Sequence, residues 1–160
     1  MKSRSLILSW IILALGSSVG IARTQITPTS PNPYTQTVSR EVLASGSPQQ
    51  VPDRLLELVR YTIPSGANLP IHYHPGMQIE RVEFGILTYT VVKGSAQIVR
   101  ADGRKETLEE GQTTLLKVGD SLAEPEGMIH YGKNETANPV ILLGASIFAA
   151  NQPKAILVKP

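Results

Sequence analysis

The sequence predicts an all-β domain, either a sandwich or a barrel. Short runs rich in β-branched, aromatic and aliphatic residues recur along it, turn residues punctuate them at close intervals, and no long segment holds a 3.6-residue apolar period. In order, the runs are 41–44, 55–63, 78–92, 96–100, 113–118, 128–131 and 140–148. The breaks are Pro64-Ser65-Gly66, Lys93-Gly94, Asp102-Gly103, Glu110-Gly111, Gly119-Asp120 and Asn138-Pro139, all residue combinations that favour turns. Residues 52–58 could open a helical turn, while the alternation of Leu56, Leu58, Arg60 and Thr62 suits a strand equally well. Within 78–92 the apolar positions are Val82 and Phe84 before Gly85, then Leu87, Tyr89 and Val91 after it. Side chains alternate faces along a strand, so this change of parity needs an extra residue or a bend, and Gly85 is expected at a bulge or a tight barrel corner. The last run, 139–150, is apolar on both faces. A strand with one wet side would alternate, so either another element covers its outer face or that face joins two copies in a homodimer.

At 160 residues the chain has the length of one domain, enough for a core that needs no disulfide or structural metal. Residues 1–22 stand apart: Lys2 and Arg4 precede an apolar run from Leu6 to Leu15, and small residues follow as far as Ala22. This is the pattern of a secretory signal peptide cleaved near Ala22, and it predicts a secreted or periplasmic protein. Ser9 interrupts the run and Gly16-Ser17-Ser18 closes it, short of the roughly 20 apolar residues a membrane span needs. An uncleaved anchor is the lesser alternative, and the membrane is a partner only through this segment. Residues 23–36, with Pro28, Pro31 and Pro33, read as an extended linker, and 37–160 as the domain. Removing Lys2 and Arg4 from the 15 basic residues leaves 13 against 13 acidic ones, so the mature domain is neutral. It has no basic stripe, which argues against nucleic acid as a partner. The absence of cysteine means that an exported fold relies on its core alone.

Only three histidines occur, His72 and His74 flanking Tyr73, and His130, 56 positions after His74. Neutral imidazole is the commonest metal ligand. Their surroundings are patterned: Gly66-(five residues)-His72-Tyr73-His74-(three)-Gln78-(six)-Gly85, and later Gly119-(five)-Pro125-Glu126-Gly127-(two)-His130-(three)-Asn134. The first resembles the first motif of the cupin superfamily, and the second matches the second cupin motif at every spacing. With 33 residues between them, the resemblance covers about 37–158. It implies a small single-domain cupin of the conserved-barrel, cupin-2 type, whose fold would be a double-stranded β-helix, the jelly-roll barrel.

The resemblance further implies one divalent transition metal, such as Fe, Mn, Ni, Cu or Zn, held by His72, His74, Gln78 and His130. Alternation agrees for the first pair, since His72 and His74 share a face while Tyr73 points away. Pro75 and Gly76 would turn the chain so that the next strand returns to the same metal, and His130 would come from across the barrel. Gln78 stands where the family usually carries glutamate. An amide oxygen can ligate but has no charge and no basicity near neutral pH, so the metal would keep its whole +2 charge, and proton transfer by that residue is put in doubt. Glu80 shares Gln78's face and is the acid nominated for catalysis or ligation; otherwise it is a carboxylate at the barrel mouth, free or paired with an arginine. Asn134 is expected to hold a turn after the His130 strand, although Asn134-Glu135-Thr136 is formally a glycosylation sequon. Met128 shares His130's parity and is expected at the pocket or in the core. Two functions follow. One is a dioxygenase-like, metal-dependent oxidoreductase on a small organic molecule. The other is a non-catalytic periplasmic protein that binds a metal or a small ligand.

Overall fold

The computed structural model describes residues 38–158. The signal peptide expected over 1–22 and the linker over 23–36 lie outside the described residues. Twelve strands follow in order: β1 (Ser39–Gly46), β2 (Arg54–Ile63), β3 (His72–Tyr73), β4 (Gly76–Phe84), β5 (Ile86–Lys93), β6 (Ala96–Val99), β7 (Lys105–Leu108), β8 (Thr113–Lys117), β9 (Ser121–Glu124), β10 (Ile129–Lys133), β11 (Val140–Ala149) and β12 (Ile156–Leu157). They form a seven-stranded sheet, β1-β2-β11-β4-β9-β6-β7, and a five-stranded sheet, β12-β3-β10-β5-β8. From β2 onward, apart from the hairpin β6–β7, consecutive strands alternate between the sheets. The quartets β2-β11-β4-β9 and β3-β10-β5-β8 are therefore the eight strands of a jelly roll, the double-stranded β-helix implied by the motifs.

Gly85 marks the corner where the expected run 78–92 divides. It separates β4 from β5, which lie in different sheets, and has a φ of 81°. A Cβ there would sit 2.5 Å from the carbonyl oxygen of Pro139, so the corner needs both the left-handed conformation and the missing side chain. Before the corner the even positions of β4 face inward; after it, Leu87, Tyr89 and Val91 do. Phe84 departs from the expectation, being 46% exposed at the strand's end.

The core joins Val82, Leu87, Tyr89, Val91, Ile98, Leu116, Leu122, Val140 and Leu142 from both sheets. Inward positions change character along the strands. On β4 the polar Gln78 and Glu80 precede Val82, and on β11 the apolar Val140 and Leu142 precede Gly144 and Ser146. Register lines up a buried polar row across the large sheet, Glu57 (β2), Ser146 (β11), Gln78 (β4) and Glu124 (β9). The outward face of β11 does carry Ile141, Leu143 and Ile147, beside exposed Leu56, Leu58, Met77 and Ile79 of its neighbours.

Asn134 does what the motif suggests. Buried just after β10, it places Nδ2 against the carbonyl oxygens of Ile63, Pro64 and Asn138 at 2.8–3.0 Å, while Oδ1 accepts the N–H and hydroxyl of Thr136. Met128 packs into the core.

Candidate metal centre

Antiparallel register sets His72 on β3 directly opposite His130 on β10. The expectation that His130 comes from across the barrel is thus corrected: both belong to the five-stranded sheet, because the jelly-roll winding lays β10 between β3 and β5. His74 lies just past β3, buried like His72, with Tyr73 between them only half-buried. Gly76 then starts β4. A Cβ there would collide with the carbonyl oxygen of Ile147, so glycine lets the chain pass close to β11 and swing Gln78 back toward the histidines.

The imidazole centroids lie 4.3 Å (His72–His130), 4.9 Å (His72–His74) and 5.2 Å (His74–His130) apart. One ring nitrogen from each falls within 4.8 Å of the others. Every Nδ1 faces a carbonyl oxygen: Pro70 at 2.7 Å for His72, Lys154 at 2.6 Å for His74, and Met128 at 3.4 Å for His130. A carbonyl only accepts, so each Nδ1 carries the proton and each Nε2 presents a lone pair. This outer bonding fixes tautomer and orientation as metal-binding histidines require. Phe148 stacks on His74 at 5.0 Å and 9°, and Tyr89 on His130 at 5.4 Å, which hold the rings in plane. Burial first, then the neighbouring charge of His130, pushes His72 down to about 4, and burial lowers His74 as well. His72 and His74 are therefore neutral imidazoles near pH 7.

The opposite sheet supplies a residue that sequence reasoning missed. Glu124, 1% exposed at the end of β9, directs Oε1 to 3.3 Å from Nε2 of His130 and Oε2 to 3.5 Å from Nε2 of His74. Its Oε1 also accepts the Tyr89 hydroxyl at 2.7 Å. Burial raises its pKa, but His130, His74, the Tyr89 hydroxyl and His72 together outweigh that and hold the carboxyl below its ordinary value. A signal was present in the sequence: Glu124 has the parity of buried Leu122, so it is an acid on the inward face.

Gln78 pairs with Glu124 in the β4–β9 register. Its Nε2 donates to Oε1 of Glu80 at 2.8 Å and to Oε2 of Glu124 at 3.2 Å. Its Oε1 accepts the Tyr61 hydroxyl at 3.3 Å, a donor that keeps its proton because burial pushes that phenol up to about 12. With two carboxylates on one side and a hydroxyl on the other, the amide turns its nitrogen toward the centre. Glu80 is neither at the surface nor paired with an arginine. It is buried against Gln78, in space left by Gly144, where a Cβ would come within 3.5 Å of it. Burial, then the charge of Glu124, raises its carboxyl well above the usual range.

One ring nitrogen of each histidine comes together with the others, and the Glu124 carboxylate lies against two of the three rings. Three buried imidazoles with one oxygen donor beside them suit a divalent transition metal. The three-histidine cluster thus fits a metal site. The same residues line a cavity of about 260 Å³, together with Arg40, Tyr61, Glu80, Lys154 and an apolar wall that includes Ile63, Leu69 and Leu142.

No protein-family model matches the sequence, and no curated protein does. Among solved structures, a cupin superfamily protein from Desulfitobacterium hafniense is similar over 70% of this chain and 78% of that one, at 15% identity and a TM-score of 0.49. A cupin 2 conserved barrel domain protein from Leptotrichia buccalis matches 69% of this chain and 41% of its own, at 19% identity and a TM-score of 0.48. An oxalate oxidase in complex with the substrate analogue glycolate matches 64% and 46%, at 16% identity and a TM-score of 0.47. The chain spans less than half the length of the latter two.

Proposed function

We propose that this chain is an exported cupin-type metalloprotein whose single divalent transition metal is held by His72, His74, His130 and Glu124, and that it acts as an oxidoreductase on a small organic molecule. The observation that carries the metal reading is the cluster of three imidazoles, each fixed by a backbone carbonyl at Nδ1, with the carboxylate of Glu124 against Nε2 of His74 and of His130. In this reading the fourth donor is Glu124 and not Gln78, which instead donates to it. A dication with one carboxylate ligand keeps one net positive charge instead of two. The bound metal would polarise a substrate oxygen or support redox chemistry. Tyr89 and Gln78 orient Glu124, and Glu80, whose carboxyl is raised well above its ordinary range by burial and by the charge of Glu124, lines the cavity as the candidate proton donor. Export rests on the signal-like residues 1–22.

Purified protein is expected to contain close to one divalent metal per chain, lost in His72→Ala and His130→Ala. Elemental analysis finding wild type as metal-poor as these variants would overturn the reading. Oxygen consumption with catechols, flavonols and β-diketones tests catalysis. Activity lost in Glu80→Gln with metal retained supports the oxidoreductase; metal lost in that variant makes Glu80 a ligand. A non-catalytic metal-binding protein is the outcome if metal is present and no substrate is turned over.

A further inference from the structure

We infer that the cavity takes a small organic monocarboxylate with an apolar body, its carboxylate seated on Arg40 and Lys154. This deepens the metal-centre reading and rests on it only for what meets the ligand's other end. Arg40 on β1 donates from Nη2 to Oε2 of Glu57 at 2.7 Å, and Nζ of Lys154 lies 3.3 Å from the same oxygen. One carboxylate therefore serves two cations, which leaves this part of the cavity with one net positive charge. Donors are also left over. Nε of Arg40 is buried with no hydrogen-bond partner, and buried Nζ of Lys154 has only its 3.3 Å ion pair with Glu57, without a well-formed hydrogen bond. Buried donors are normally satisfied, and unspent ones beside a cavity mark where a ligand's acceptors belong. A monoanion supplies the missing acceptors and the missing charge together.

Lys154 couples this place to the metal centre, since its own carbonyl oxygen accepts Nδ1–H of His74. The anion seat and a histidine of the centre are thus one residue apart in contact. The apolar part of the cavity wall includes Ile63, Leu69, Leu87 and Leu142, which would cover a hydrocarbon body rather than a chain of hydroxyls. At about 260 Å³ the space lies below the roughly 300–1,000 Å³ of pockets for drug-sized ligands. This limits the occupant to a compact acid.

The test uses benzoate and its uncharged analogue benzamide, titrated calorimetrically into the purified protein as isolated and after metal removal, with metal content measured on the same samples. Benzoate is expected to bind at least tenfold more tightly than benzamide, with or without metal. Arg40→Gln and Lys154→Gln should each weaken benzoate about tenfold or more, the usual size of a lost hydrogen bond to a charged group, and leave benzamide and metal content unchanged. Because Arg40→Gln alone disturbs buried Glu57, the charge-balanced pair Arg40→Gln with Glu57→Gln is measured as well, and it should lose benzoate equally while melting like wild type. Equal binding of the two probes overturns the proposal, as does a benzoate preference that ignores Arg40 and Lys154. Absence of metal in the wild type overturns the metal reading alone, because the stripped protein still decides where the carboxylate sits.

Discussion

Replacing Glu124 by glutamine is expected to weaken metal binding and, in the same molecule, to stabilise the metal-stripped fold. In stripped protein at pH 8, Oε2 of Glu124 faces the lone pair of His74 at 3.5 Å, and Oε1 lies 3.3 Å from Nε2 of His130. A buried acceptor left without a donor costs about 1–3 kcal/mol. Glutamine with its nitrogen in the Oε2 position donates to Nε2 of His74, while its oxygen in the Oε1 position still accepts the Tyr89 hydroxyl, and the longer bond from Gln78, which keeps its bond to Glu80, is given up. It gives up the charge assistance in the Tyr89 bond, roughly 1 kcal/mol. The net is a gain on the order of 1 kcal/mol, or a melting temperature higher by about 3–6 °C for a domain of this size. Changes to groups that merely support a ligand weaken metal binding by about 10–100-fold, so loss of the anionic ligand itself should reach at least the upper end of that range. The assays are urea unfolding of both stripped proteins at pH 8 and zinc titration against a competing chelator. A variant that holds zinc as tightly as wild type refutes the ligand role. A stripped variant less stable than wild type refutes the account of crowded acceptors.

Acid should destabilise the stripped protein early. His72 is held at about 4 against 6.5 in the unfolded chain, so between these values the unfolded state binds more protons; the stability is complete above pH 6.5 and falls as pH drops to 4, by on the order of 3 kcal/mol. Urea midpoints across that range should show the slope, His72→Gln should flatten it, and an unchanged slope would count against the burial argument. Asp120→Asn should cost about 2–3 kcal/mol and leave metal content unaltered, because Asp120 accepts from the Ala101 and Lys117 amides and from Arg100 at 2.9–3.0 Å. Burial raises that carboxyl, but the two amides and Arg100 prevail and depress it, so its contribution is present above the ordinary value of 3.8 and is lost as pH falls below it. Asn134→Ala should lower stability by about 2–3 kcal/mol, since the Ile63, Pro64 and Asn138 carbonyls each lose one donor; a melt within a degree of wild type would contradict this.

Most of the architecture was legible because alternation and turn residues are local. The long strands β2, β5 and β11 announce themselves by their apolar runs, and the parity change at Gly85 located the corner between sheets. Four short strands were not legible. β3 and β12 have two residues each, and β7 and β9, although as long as β6, carry polar residues at three and two of their four positions, so no apolar run shows against the background. They exist because neighbouring strands offer unpaired backbone groups, a tertiary cause. The histidine triad was legible from spacing, but its arrangement was not, because only the winding of the jelly roll decides that β10 lies beside β3.

The carboxylate shows the same limit more sharply. A spaced motif records positions along one strand, whereas the centre is assembled from cross-strand pairs: His72 with His130 in one sheet and Gln78 with Glu124 in the other. Register partners on the inward face have side chains only about 5 Å apart at Cβ, so either member of a pair can direct an oxygen to the same place. With Glu124 as the proposed ligand, Gln78 does not signal a centre without charge. The anionic oxygen stands one strand over, on Glu124, and the amide at 78 becomes the donor that holds it, with Tyr61 and Glu80 fixing the amide's direction. A residue type at a single motif position is thus a weaker guide to chemistry here than the composition of the inward row Glu57, Ser146, Gln78 and Glu124, which runs from the Arg40 and Lys154 cations to the histidines.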